Sequence, residues 1–162
     1  MKLSAATSAV LLMALTGAAQ ASETETRQTQ TVACLSKMDA GTTWEECRAI
    51  MFEPCAETEL GSAPHLACLK GEKAAWKTHL DTNITKLNSS LSMDGAAQLT
   101  ELLVSWYDYL GKKCEAVANS RTGAGQEAAN VGCEISEYAG VAAEFETCLS
   151  GKSTQPYCKF QQ

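Results

Sequence analysis

The stretch Trp106 to Cys114, WYDYLGKKC, places a thiol directly after two lysines. Cationic neighbours favour the thiolate, the form that attacks electrophiles and binds metals. Cys114 is therefore the first candidate for chemistry. A redox-active pair ordinarily shows Cys-x-x-Cys, and the closest cysteines here are Cys47 and Cys55. His65 and His79 are the only histidines, and neither has a second ligand at helical metal spacing, so both read as surface or edge residues. No Gly-x-Ser-x-Gly elbow is present for acyl transfer. Glu101, Asp108 and Glu115 lie around one helix at ordinary surface positions. The expectation is a protein that is not an enzyme and uses no metal or cofactor. Cys114 is then a structural cysteine on an apolar stripe, with Lys112 and Lys113 solvated in a last helical turn that complements the dipole.

The chain's ends set the compartment. Lys2, an apolar run, and Ala19-Gln20-Ala21 form the pattern of a secretory leader over residues 1–21, with Ser22 as the mature start. The run is too short to anchor in a bilayer, which needs roughly 20 apolar residues. Cys34 stands too far behind that run to be a lipidation site. A periplasmic or secreted product is expected, with no membrane span. Loss of Lys2 moves the formal charge of −6 one unit further negative. An acidic surface disfavours nucleic acid and anionic membranes and suits cationic partners. All eight cysteines lie beyond the leader, and an even count in an exported chain implies disulfides.

Those cysteines must be positioned by helices. Leu69, Trp76, Leu80, Ile84, Leu87 and Leu91 recur at helical steps, as do Leu99, Leu102, Leu103, Trp106, Leu110, Cys114 and Val117. A third stripe runs through Val131, Ile135, Tyr138, Ala142, Phe145 and Leu149. Thr43-Trp44-Glu45-Glu46 has capping-box spacing, and Pro54 predicts an end near Glu53. Ser62 or Ala63 beside Pro64 opens the next helix, and Ser92 or Asp94 caps the one after it. The prediction is all-α, with helices over 27–38, 44–53, 64–91, 95–118 and 126–150, the last three long. Residues 22–162 then form a single domain. It comprises a Cys-rich helical hairpin (27–62), core helices (63–150) and an irregular tail (151–162). Asn83-Ile84-Thr85 and Asn88-Ser89-Ser90 match glycosylation sequons but fall mid-helix, and are discounted.

Cys34 and Cys47 flank one turn, and Cys55 and Cys68 flank the next at the same spacing. Consecutive pairing would clip neighbouring helices side by side. A nested scheme, Cys34–Cys68 with Cys47–Cys55, stays open. It becomes harder if the second helix persists through Cys55, because eight helical residues separate that pair by about 12 Å, beyond disulfide reach. Cys114–Cys133 would join the fourth helix to the fifth, and Cys148–Cys158 would pin the tail. With only 6% aromatic residues, staples matter to stability.

Three segments, CLKGEKAAWKTHLDTNITKLNSSL, LTELLVSWYDYLGKKCEAV and VGCEISEYAGVAAEFETCL, resemble the LprI family of exported bacterial proteins, whose domain is named after a lysozyme inhibitor. The family pattern has a Trp before an L-N-x-x-Y/L run, matched by Trp76 and ITKLNSSL. It continues with W-x-x-Y-R-D-x-x-C, matched by Trp106, Tyr109 and Cys114, and with a cysteine after a Gly-containing loop, matched by Gly123, Gly125 and Cys133. Trp76, Trp106 and Tyr109 form the core signature. The resemblance covers roughly residues 34–150 and carries over the Cys114–Cys133 pairing. Leu110-Gly111 departs from the family Arg-Asp. The resemblance implies a protein partner, a lysozyme-type muramidase that the chain inhibits. The loop holding Asn119, Arg121, Gly123 and Gly125 would be the contact, with Arg121 facing catalytic carboxylates. The alternative is a cell-envelope structural or interaction protein without inhibitory activity, which the missing Arg-Asp favours. A lipid carrier is a third class, but the Cys-Cys and Cys-x-Cys motifs of plant-type carriers are absent.

Overall fold

A computed structural model describes residues 26–35, 37, 44–153 and 158. The expected leader, the Thr43 cap and most of the 151–162 tail lie outside the described residues. The described part is all-α: α1 (residues 26–35), α2 (Trp44–Ala56), α3 (Ala63–Ser90), α4 (Met93–Asn119) and α5 (Ala124–Leu149). No described residue is in a strand, and no described helix is long and apolar enough to cross a membrane.

Local chemistry sets the boundaries. The Ser62 hydroxyl accepts from the His65 N–H at 3.2 Å, and Pro64 occupies the first turn of α3, where a missing N–H costs nothing. Ser92 caps α4 in the same way through the Gly95 N–H. The sequence predicts that Pro54 stops α2, yet the helix continues to Ala56. Proline at 54 removes the donor that would bond the Ile50 carbonyl. That carbonyl instead accepts from Arg27 Nη1 on α1 at 3.3 Å. Where α2 does end, the Cys55 carbonyl accepts from Thr58 Oγ1 at 2.7 Å and lies 3.1 Å from His65 Nδ1. Arg27→Ala should therefore lower stability by about 1–2 kcal/mol, because it strips a charge-assisted bond from a carbonyl with no intrahelical donor. Urea unfolding followed by circular dichroism reads this cost.

The α3 and α5 helices form the central pair. Lys70 bonds Glu127, Lys73 bonds Glu134, and Asn83 bonds the Ala142 carbonyl, so the two run parallel. The α4 helix runs antiparallel to α5 and hardly meets α3, while α2 packs on α3. The core is built from the three predicted stripes, with Trp76, Leu80, Leu87, Leu110, Ile135, Ala142 and Phe145 all buried. Leu102 and Val117 break from the predicted α4 stripe, at 44% and 38% exposed. One packed neighbour covers a narrower face than two, so the flanks of the stripe stay in solvent.

Polar residues also line the α3 core face. His65 and His79 are buried, contrary to the surface or edge placement expected from sequence. His65 closes the α2 terminus. His79, Asn83 and Glu146 meet between α3 and α5: Asn83 Nδ2 donates to the Ala142 carbonyl at 3.1 Å and to Glu146 Oε2 at 3.2 Å. His79 Nε2 lies 3.4 Å from Asn83 Nδ2 and 3.8 Å from Glu146 Oε2. Burial pulls the His79 pKa below its ordinary 6.5, outweighing the Glu146 charge that raises it; Lys86 lowers it slightly. The folded state thus prefers neutral His79. Its contribution is present above pH 6.5 and is lost as pH falls from there through the lower folded value. His79→Gln should flatten the fall in thermal midpoint between pH 7 and pH 5. Comparison with the parent isolates His79 from Glu72 and Glu144, which burial raises above 4.5 and which act with opposite sign.

Four disulfides join these parts: Cys34–Cys47, Cys55–Cys68, Cys114–Cys133 and Cys148–Cys158. The first pair ties α1 to α2, the second α2 to α3, and the third α4 to α5. The last holds residue 158 against the end of α5. Because α2 persists past Cys55, Cys47 and Cys55 stay two turns apart on one helix, each bridged to a neighbouring element.

Candidate protein-binding site

The turn between α4 and α5 is short and tightly bonded. The Ser120 N–H donates to the Val117 carbonyl at 3.2 Å, and the Arg121 N–H to the Ala118 carbonyl at 2.9 Å. Gly123 then adopts φ 60° and ψ −142°, a region essentially closed to residues with a Cβ. Its carbonyl accepts from the Gln126 N–H at 3.1 Å, and Gln126 Nε2 donates to Asn119 Oδ1 at 3.2 Å. The Cys114–Cys133 bridge fixes the helices behind this turn, with Cα atoms 5.4 Å apart. The turn is thus a rigid projection.

Asn119, Arg121, Gly123 and Gly125 are all exposed at this end. Gly125 belongs to the first turn of α5 rather than to the loop, because the helix starts at Ala124. Asn119 and Gly123 line an open groove of about 600 Å³ between α4 and α5. Glu115, Gln126, Glu127, Asn130 and Glu134 complete its polar wall. Glu127 is held by Lys70 at 2.7 Å and Glu134 by Lys73 at 2.8 Å. Glu115 and Arg121 have no ion-pair partner among the described residues. Exposed Arg121 therefore stands in the turn beside a polar groove in which Glu115 has no cation partner among the described residues.

The two departures from the family pattern fall on different sides of α4. Leu110 is buried, at 4% exposed, and packs in the core. Gly111 lines the groove, and a Cβ there would meet no atom within 4 Å. Of the signature aromatics, Trp76 is buried at 2% and Trp106 is half-buried, its ring 6.0 Å from that of Tyr138. Tyr109 is 54% exposed. Trp106 already lies at the edge of the α5-facing side, and Tyr109 falls about 60° further from the line of Leu110 and Cys114; the Lys113 ammonium sits 5.6 Å from its ring. Lys113 is in turn bonded to Glu137 at 2.7 Å. Sequence reasoning missed the buried polar line of Glu72, His79 and Asn83, although each sits in helical phase with Trp76 and Leu80.

Fold and site together define a small disulfide-stapled helical bundle with a rigid polar turn at one end. No known family, curated protein or solved structure matches the chain.

Proposed function

We propose that this is an exported protein-binding module that blocks a lysozyme-type muramidase through the α4–α5 turn. The observation that carries the reading is the stapled turn presenting Arg121, which has no ion-pair partner among the described residues. A cation carried on a rigid backbone is suited to a cleft whose catalytic groups are carboxylates. Rigidity lowers the entropy lost on binding. Acidic net charge supports the choice of partner, since a cationic enzyme would be steered toward it. Four disulfides and the secretory leader pattern fit an oxidising compartment beyond the membrane, periplasmic or secreted. The likeness of the Trp76, Trp106–Cys114 and Cys133 segments to the LprI family points the same way.

Clearing of a cell-wall suspension by several lysozymes, with and without the oxidised protein, tests the proposal. Stoichiometric protein should suppress clearing by at least one of them, and Arg121→Glu should weaken inhibition at least tenfold. No inhibition by any enzyme at molar excess would reject it. A second reading, an envelope interaction protein without inhibitory activity, draws on the buried Leu110, which supplies no charge where the family carries arginine.

A further inference from the structure

The solvent side of α4 is unusual among the described helices. Every large apolar residue that is well exposed in the described chain, except Leu60, lies on α4: Met93, Leu102, Val104, Tyr107, Tyr109 and Val117. The cause is architectural, since α4 packs on α5 and hardly meets α3. Leu102 and Tyr109 are seven residues apart, so they lie on one line along the helix, with Ser105 between them.

A second line runs beside the first. Asp94, Glu101, Asp108 and Glu115 recur at intervals of seven and are all exposed. Asp94, Glu101 and Glu115 have no cation within 4 Å among the described residues, while Asp108 is bonded by Lys112 at 2.6 Å. The line extends about 30 Å along the axis and ends at Glu115, which also walls the groove beside the turn.

The geometry points to a docking face for a basic amphipathic helix, seated on Leu102 and Tyr109 with its cations along the acidic line. Charge complementarity selects this occupant. Cations must be offered over about 30 Å at heptad intervals, and a helix of roughly 20 residues with Lys or Arg every seventh position does so. A second copy of this chain paired antiparallel through α4 does not fit. An antiparallel two-fold pairing of α4 brings each flank against the same flank of its partner, which sets acid against acid. This face is distinct from the Arg121 turn and does not depend on muramidase binding.

The test uses the disulfide-bonded protein and a labelled synthetic peptide of four heptads, with Leu on the seam and Lys every seventh residue. A scrambled peptide of the same composition is the control, and binding is read by fluorescence anisotropy. The phased peptide should bind at least tenfold tighter than the scrambled one. Leu102→Ser with Tyr109→Ser should remove at least tenfold, and Glu101→Gln with Glu115→Gln should reduce both affinity and its salt dependence. Arg121→Glu should not weaken peptide binding, since it only adds negative charge near Glu115, which separates this test from the muramidase assay. Equal binding of the two peptides, or insensitivity to the Leu102 and Tyr109 changes, would overturn the proposal. So would a dimer of the protein alone, in sedimentation equilibrium, that Leu102→Ser abolishes.

Discussion

Trp76→Ala should cost about 3–5 kcal/mol, enough to unfold much of the protein at moderate temperature. The indole is 2% exposed at the centre of α3, in the core shared with α2 and α5. Its Nε1 donates to Glu72 Oε1 at 3.3 Å, and that carboxylate, 3% exposed, also faces Arg48 at 3.5 Å. Burial raises the Glu72 pKa above its ordinary 4.5, against the opposing pull of Arg48 and the indole bond. Truncation therefore opens a cavity and also strips a donor from a buried carboxylate whose Oε2 has no hydrogen-bond partner among the described residues. The Glu72 pKa should climb further. A raised carboxyl pKa destabilises the fold above it, and the penalty fades as pH falls toward 4.5. Hence the loss in Trp76→Ala should be larger at pH 7 than at pH 5. Trp76→Phe keeps most of the volume and loses the donor, so about 1–2 kcal/mol is expected. Urea titrations of all three proteins at both pH values measure these differences.

Replacing Cys114 and Cys133 together by serine should cost about 3 kcal/mol, the value for a loop of this size. The bridge closes the α4–α5 hairpin, and α4 is held almost wholly by α5, because it hardly touches α3. Loss should therefore be local first: α4 loosens from α5 while the α3–α5 pair, bonded through Lys73–Glu134 and Asn83–Ala142, persists. Hydrogen exchange should rise most in α4 and the turn. Near-ultraviolet signal from Trp106, whose ring lies against Tyr107 and Tyr138, should fall before that of Trp76. Uniform exchange across all helices would mean that the bridge stabilises the fold globally instead.

Much of the fold was legible because helical periodicity reports burial directly. Leu80, Leu87, Ile135 and Phe145 occupy core positions that spacing alone assigns. Ser62 and Ser92 act as caps because their hydroxyls are placed to take an N–H that the helix leaves unbonded. The end of α2 was not legible. Whether Pro54 stops a helix depends on a remote donor, and Arg27 lies 23 residues away from the carbonyl it serves. His79 and Asn83 were hidden by their polarity, although their phase with Trp76 and Leu87 marks the core face. Their partners sit on α5, at Ala142 and Glu146, which no local pattern connects to them. Leu102 and Val117 were misplaced for a related reason. A motif fixes spacing, but how much of a helix is covered depends on how many neighbours it has. The groove beside Gly111 likewise exists only once α4 and α5 are set side by side.

The central claim, a rigid turn that binds a lysozyme-type enzyme, is tested most directly by calorimetric titration of a cationic lysozyme into the oxidised protein. Disulfide mapping and circular dichroism on the same sample establish that it is folded. The account predicts a one-to-one complex that weakens with added salt and is at least tenfold weaker for Arg121→Glu. The absence of binding by folded, fully oxidised protein to any of several lysozymes, at tens of micromolar and low salt, would contradict it.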